Sequence, residues 1–204
     1  VKIVAVSTGK VAPLSHASFP NTKRLYSGID KQPISSPLES QRVFVNGSGV
    51  QGDEQFERSL HGGADQALYA YPIEHHDFWQ QLILNYKKIK PKISYGIFGE
   101  NLTVKGFDES QVFIGDRWMI GGVELEVTKF REPCFKLNIQ LNYADASRAM
   151  LQSGRSGWYL KVHRSGFIQS GDWVEVIKGK AKISIQEQNR LLYQKTNPSQ
   201  DLFE

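Results

Sequence analysis

A single cysteine, Cys134, stands between two cations in Arg131-Glu132-Pro133-Cys134-Phe135-Lys136. The thiolate is the form of cysteine that attacks electrophiles and binds soft metals, and neighbouring cations favour it. Pro133 fixes φ just ahead of the cysteine and stiffens the turn. The competing reading is a buried, inert thiol, since free cysteine is among the most buried residue types. A second group is Gly52-Asp53 followed by Leu60-His61-Gly62-Gly63-Ala64-Asp65-Gln66-Ala67. Gly62 and Gly63 free the backbone for close approach to a ligand, and such loops can turn several N–H groups toward an anion. His61 and Asp65 add a titratable pair suited to proton transfer. The alternative is a tight loop leading into a strand.

Three further groups could bind rather than react. In Gly96-Ile97-Phe98-Gly99-Glu100-Asn101-Leu102, Glu100 can accept from ring N–H groups of a ligand, and Asn101 can both donate and accept. Ordinary turn chemistry uses the same residue types. Arg155, in Ser153-Gly154-Arg155-Ser156-Gly157, suits a phosphate or carboxylate held by two hydrogen bonds, unless it is only a surface arginine. Lys31, in Gly28-Ile29-Asp30-Lys31-Gln32-Pro33, is a weaker candidate of the same kind. His75-His76 reads as part of a solvated helix face, because adjacent helical residues diverge too far to share a metal.

The elements that must position these groups are mostly strands. Lys2–Ser7, Arg42–Val45, Ala67–Tyr71, Asn101–Val104, Val112–Ile114, Arg117–Ile120 and Val123–Phe130 have strand length and patterning. Gly115-Asp116 and Gly121-Gly122 are hairpin signals between the last three. Trp158–His163 and Trp173–Ile177 read as a final hairpin. Residues 10–40 read as an extended, looping segment. Apolar spacing predicts a helix from Ile73 to about Tyr86 and a short one from Asp145 to about Gln152, closed by Gly154. Residues 1–178 therefore read as a mainly β, antiparallel barrel-like domain with inserted helices. Residues 179–204 read as a helical tail: Ser184-Ile185-Gln186-Glu187 is a capping box ahead of Ile185, Gln188 and Leu192, and Asn197-Pro198 ends the helix.

Composition narrows the function. One cysteine among 204 residues excludes an internal disulfide and a structural zinc cage built on thiolates. No apolar run approaches the ~18 residues of a membrane span, and no signal peptide is apparent, so the reducing cytoplasm is the expected compartment. The chain carries 25 Lys+Arg against 21 Asp+Glu, a formal charge of +4. That mild, dispersed excess suits an anionic small ligand better than nucleic acid. The run Lys87-Lys88-Ile89-Lys90-Pro91-Lys92 reads as a solvated loop after a helix.

Taken in order, Gly28-Ile29-x-Lys31-x-Pro33, Gly52-Asp53-x-Gln55, His61-Gly62-Gly63-x-Asp65-x-Ala67, Tyr71-Pro72, Phe98-Gly99-Glu100-Asn101-Leu102, Gly115-Asp116 and Arg131-x-Pro133-Cys134-x-Lys136-Leu137 resemble the MOSC family, that of the molybdenum-cofactor sulfurase C-terminal domain. The branch resembled is the bacterial YiiM-like one, associated with resistance to 6-N-hydroxylaminopurine. The resemblance spans about residues 2 to 178. It implies an antiparallel pseudo-β-barrel, binding of the molybdenum cofactor (Mo-molybdopterin), and Cys134 as the protein's sulfur ligand to molybdenum. It further implies reduction of small N-hydroxylated substrates, R–NHOH to R–NH2, a detoxifying reaction with electrons from redox partner proteins. Cys134, His61 and Asp65 are then the expected catalytic residues. Lys31, Arg131 and Arg155 are candidates for the cofactor's phosphate, Glu100 and Asn101 for its pterin, and Gly62 and Gly63 for close approach. A soft thiolate suits a metal already held by a dithiolene. No nucleic-acid or membrane partner is expected, and the protein would be a monomer or homodimer. YiiM-like members usually carry three C-terminal helices, against which the helix from Ser184 reads as a shortened appendage. Two other readings stay open: a non-redox carrier or sensor of the cofactor, or of its sulfur as a Cys134 persulfide, and a pyridoxal-phosphate protein using Lys31.

Overall fold

The structure is a computed structural model, and it describes residues 1–16, 18, 19, 25–56 and 62–196. Its strands are β1 (Lys2–Thr8), β2 (Ala12–Pro13), β3 (Tyr26–Ser27), β4 (Gln32–Ser35), β5 (Val43–Asn46), β6 (Gly49–Val50), β7 (Leu68–Pro72), β8 (Leu102–Lys105), β9 (Arg117–Ile120), β10 (Val123–Phe130), β11 (Trp158–Arg164), β12 (Gly166–Ile168) and β13 (Glu175–Ile177). Helices are α1 (His76–Lys87), α2 (Phe135–Gln140), α3 (Ala146–Ser153) and α4 (Ile185–Thr196).

Eight strands form one sheet in the order β13-β9-β10-β11-β7-β8-β1-β4. Neighbours are antiparallel except β7 and β8, which run parallel because α1 crosses between them. The sheet curls until its far ends meet. Ile3 donates its N–H to Asp172 O, Val174 donates to Val1 O, and Lys2 bridges Trp173. The concave side holds Trp118, Leu125, Trp158 and Leu160, all fully buried. A second apolar layer joins the outer face to α1, α2 and α3 through Tyr71, Trp79, Phe98, Leu137 and Met150. The barrel-like β fold expected from the strand spacing is thus present as a curled sheet with inserted helices.

Several local expectations are corrected. β11 and β13 do not form a hairpin. β11 lies between β10 and β7, and β13 joins β9, because β12 leaves to pair with β5 in a separate small sheet. Residues 112–114 make one bridge, Phe113 to Ser184, and no strand. There the buried Asp116 carboxylate accepts the Phe113 N–H at 3.1 Å and holds a turn instead. The looping segment contains β2, β3 and β4, and α2 was not foreseen.

The Ser184 cap forms: its Oγ accepts the Glu187 N–H at 3.1 Å, while the Glu187 carboxylate pairs with Arg190 rather than reaching back. Ile185 is fully buried in the main core, and Gln188 Oε1 accepts the Phe130 N–H at 2.8 Å. α4 therefore docks on the end of β10, just ahead of Cys134. Asn197 and Pro198, expected to end it, lie outside the described residues.

Candidate functional site

β10 ends at Phe130, and the chain turns through Arg131, Glu132 and Pro133 before α2 begins. Cys134 caps that helix in an extended conformation (φ −125°, ψ 170°), and its carbonyl accepts the Leu137 N–H at 3.0 Å. The thiol is half-buried, not sealed in the core, and it lines a cleft with about 690 Å³ of empty space that opens to solvent. Lys31, Asp53, Asn101, Arg131 and Lys136 line the same cleft, with Phe56, Tyr69 and Tyr159 as its aromatic walls.

The cleft's charges are unusual for groups so well buried. Arg131 is 6% exposed, yet among the described residues it has no carboxylate partner. Its guanidinium lies over the Tyr69 ring, 5.3 Å from the centroid, and NH1 reaches Met150 Sδ at 3.2 Å. Lys136, 7% exposed, holds Nζ 4.9 Å from the Phe56 ring centroid. Lys31 is paired with Asp53. Burial pulls the Lys31 ammonium below its ordinary pKa, and Asp53 opposes the pull. Burial likewise raises the Tyr159 hydroxyl, with Arg131 opposing.

Asp53 is the hub of the opposite wall. One oxygen takes Lys31 and the Gly9 N–H (2.8 Å), and the other takes the Asn101 amide (Nδ2–Oδ2, 2.9 Å). Asn101 also donates to Ser7 O at 3.2 Å and accepts the Tyr69 N–H at 3.2 Å. Both amide hydrogens are committed within the protein, so Asn101 holds Asp53 in place and has no donor left for a pterin.

Glu100 is corrected more strongly. It is fully buried, does not line the cleft, and accepts from the N–H groups of Gly96 (2.7 Å) and Phe98 (3.0 Å) and from the Thr103 hydroxyl (3.0 Å). Burial raises its pKa to about 7 against those three donors. The turn it closes presses on the Lys31 backbone: a Cβ at Gly96, where φ is 85°, would come within 2.5 Å of Lys31 O. Glu100 therefore shapes the cleft from behind.

Two candidates sit elsewhere. Asp65 is exposed, salt-bridged to Lys161 at 2.9 Å, and absent from the cleft lining. Arg155 stacks on Phe78 (4.3 Å) beside a separate hollow that includes His75 and Glu109. A helix end set it apart from Cys134, which the residue type could not reveal. Gly62 and Gly63 border the wall without lining it; the Gly63 N–H approaches Gln55 Oε1 at 3.4 Å. His61 lies outside the described residues. His75-His76 is not a solvated face. His75 Nε2 meets Glu109 Oε2 at 2.7 Å in a buried pair, and His76 Nε2 is buried with no partner. Burial depresses the His76 pKa to about 4.

Asp53, Lys136, Tyr69 and Tyr159 complete the cleft and were not expected as site residues. Asp53 stood inside a motif without a role, and Lys136 only as a cation favouring the Cys134 thiolate. The two tyrosines face each other across β7 and β11, 5.5 Å between centroids, and in sequence look like core.

A curled antiparallel sheet with one half-buried cysteine over a cation-lined cleft defines a class of ligand-binding β domain. The MOSC domain profile matches residues 57–175, more than half of the chain. YiiM of Escherichia coli is 31% identical over 170 residues, covering 80% of this chain and 75% of that one. A protein of Gibberella moniliformis named "Reductase" is 34% identical over 154 residues, 74% of this chain but 26% of that one. The crystal structure of YiiM from Geobacillus stearothermophilus superposes with a TM-score of 0.72 at 28% identity, covering 96% of this chain and 85% of that one. The chain belongs to the MOSC family. None of these comparisons supports a pyridoxal-phosphate role for Lys31. No described helix is long and apolar enough to cross a membrane.

Proposed function

We propose that this chain is an oxidoreductase that binds the molybdenum cofactor and reduces N-hydroxylated bases or amines, R–NHOH + 2e⁻ + 2H⁺ giving R–NH2 + H2O. The observation that carries the reading is the pairing of Cys134 with Arg131, a buried cation with no carboxylate partner among the described residues, in one open cleft. Burial opposes the Arg131 charge, but Tyr69, Tyr159 and Cys134 hold it in its charged form, so the cleft presents a cation to an anionic ligand. Among the described residues no cluster of three or more His, Cys, Asp or Glu could hold a metal. Cys134 can offer one soft donor, which suits a metal that arrives with its remaining donors attached.

When bound, the cofactor supplies the two-electron redox chemistry. The chain's own part is to bind and orient. Cys134 Sγ is the protein ligand. Arg131 and Lys136 hold the anionic end, taking the place first expected for Arg155. Lys31 stays neutralised by Asp53, which Asn101 fixes. Tyr69 and Tyr159 wall the cleft and limit water beside the thiol. The Glu100 turn keeps the Lys31 backbone in place. The substrate and its electron donor both enter from the open side.

The test is turnover. Protein from a cofactor-competent host, driven by dithionite-reduced methyl viologen, is assayed with 6-N-hydroxylaminopurine. Wild type converts it to adenine and Cys134→Ser does not. Equal turnover by the two proteins contradicts the proposal.

A further inference from the structure

We propose that the loop after α1 is the docking surface for an acidic redox protein that delivers electrons to the Cys134 cleft, an inference that rests on the reductive reading above. The observations are charge, exposure and position. Four lysines, Lys87, Lys88, Lys90 and Lys92, fall within six residues, and removing them leaves 21 basic against 21 acidic residues in the whole chain. The formal excess of +4 is concentrated in this one hexapeptide. None of the four forms an ion pair among the described residues, although carboxylates elsewhere take up Lys10, Lys31, Lys161 and Lys178.

The local structure presents them outward. Lys88 closes α1 in the left-handed conformation (φ 59°), donating its N–H to Leu84 O at 2.7 Å, and Pro91 prevents the helix from resuming. Lys88, Lys90 and Lys92 are exposed, and Ile89 is 73% exposed among them. One lysine would suffice to complement the helix dipole. Four unpaired lysines around one apolar side chain form a surface for an anionic partner.

The two ends of the loop connect to elements that wall the cleft. Beyond Lys92 the chain enters the Gly96–Gly99 turn, and Phe98 and Gly99 line the cleft. Ahead of it, Tyr86 packs on Tyr143, with centroids 4.8 Å apart. The Tyr143 N–H bonds Asn138 O at 2.9 Å, and Asn138 belongs to α2, which starts at the residue after Cys134. Six helical residues span only about 9 Å. Both ends of the loop are thus tied to the walls around Cys134, the placement that the proposed docking requires. Short and charged, with one apolar side chain at its centre, the surface matches the small, transient interfaces of electron transfer, in which charge sets the encounter rate.

Binding of an acidic flavodoxin to the whole protein, measured by titration calorimetry at low and at physiological salt, tests the docking. Wild type binds and weakens as salt rises, while Lys88→Gln/Lys90→Gln/Lys92→Gln binds roughly tenfold more weakly with little salt response. Equal affinity of the two proteins overturns the proposal. So does a wild type that ignores flavodoxin but uses the same lysines on a single-stranded oligonucleotide or on phosphatidylcholine–phosphatidylserine vesicles. Methyl viologen bypasses docking. The variant should keep viologen-driven turnover and lose flavodoxin-driven turnover. Failure of viologen-driven turnover in wild type counts against the reductive function and leaves the binding titration to decide the docking.

Discussion

Arg131 lies over the face of Tyr69, 5.3 Å from the ring centroid, three residues ahead of the only cysteine and inside the same cleft. The Tyr69 ring face, the Met150 sulfur, Cys134 and a side-chain hydrogen bond with Tyr159 surround it in place of a carboxylate and keep it charged against the cost of burial. Arg131→Met should therefore cost the ligand-free protein about 1 kcal/mol, since it removes the hydrogen bond with Tyr159 and leaves that hydroxyl unpartnered on this side. Phosphate is expected to raise the Tm of wild type, and Arg131→Met to abolish that rise. Thermal melts with and without phosphate check both; a phosphate-dependent rise in Tm that survives in the variant goes against the assignment.

Breaking the Lys31–Asp53 pair should cost more. Removing one member of a buried pair strands the other, at a cost of about 3 kcal/mol. Asp53→Leu is expected to lose roughly that amount in urea unfolding, and Lys31→Met/Asp53→Leu to recover most of it. Additive losses in the double variant would show that the pair is not coupled.

The pH dependence of stability has two opposing parts. Glu100 is raised to about 7 by burial. The folded chain then keeps a proton that the unfolded chain releases, and stability falls as pH rises from about 4.5 to about 7. His76 is depressed to about 4 by burial, so its contribution is present above 6.5 and lost as pH falls from there toward 4. The slopes oppose each other where the windows overlap. His76→Phe also removes the unpartnered Nε2 and should flatten the acid limb, leaving a stability that declines steadily toward neutral pH. A His76→Phe profile with the wild-type acid limb would remove His76 from the account. Carbon-13 NMR titration of the Glu100 carboxyl should give a midpoint near 7.

How much of this was legible in the sequence follows from what each residue type can signal. Cys134 and its flanking cations were legible, because few other arrangements use a lone thiol between Arg131 and Lys136. The strands on either side were legible too, since each carries its own periodicity. Glu100 and Asn101 were read as ligand contacts because an acid and an amide after a glycine serve a turn and a binding site equally well. Only the three donors on Glu100, and the two acceptors of the Asn101 amide, show which use prevails here. Arg155 was grouped with the cleft on its chemistry, and Asp65 on its chemistry and its place in a motif. Strand order put one beside Phe78 and the other beside Lys161. The β11–β13 hairpin failed for a related reason: pairing partners are chosen by the whole sheet, and no local pattern reports that β12 leaves it for β5.

The most direct measurement is metal analysis with pterin fluorescence on wild type and Cys134→Ala, both purified from a cofactor-competent host. Wild type should carry molybdenum and pterin together in near-equal amounts, and the variant should lose the metal while keeping its fold. Molybdenum retained in full by Cys134→Ala, or wild type with labile sulfur on Cys134 and no pterin, would contradict the account.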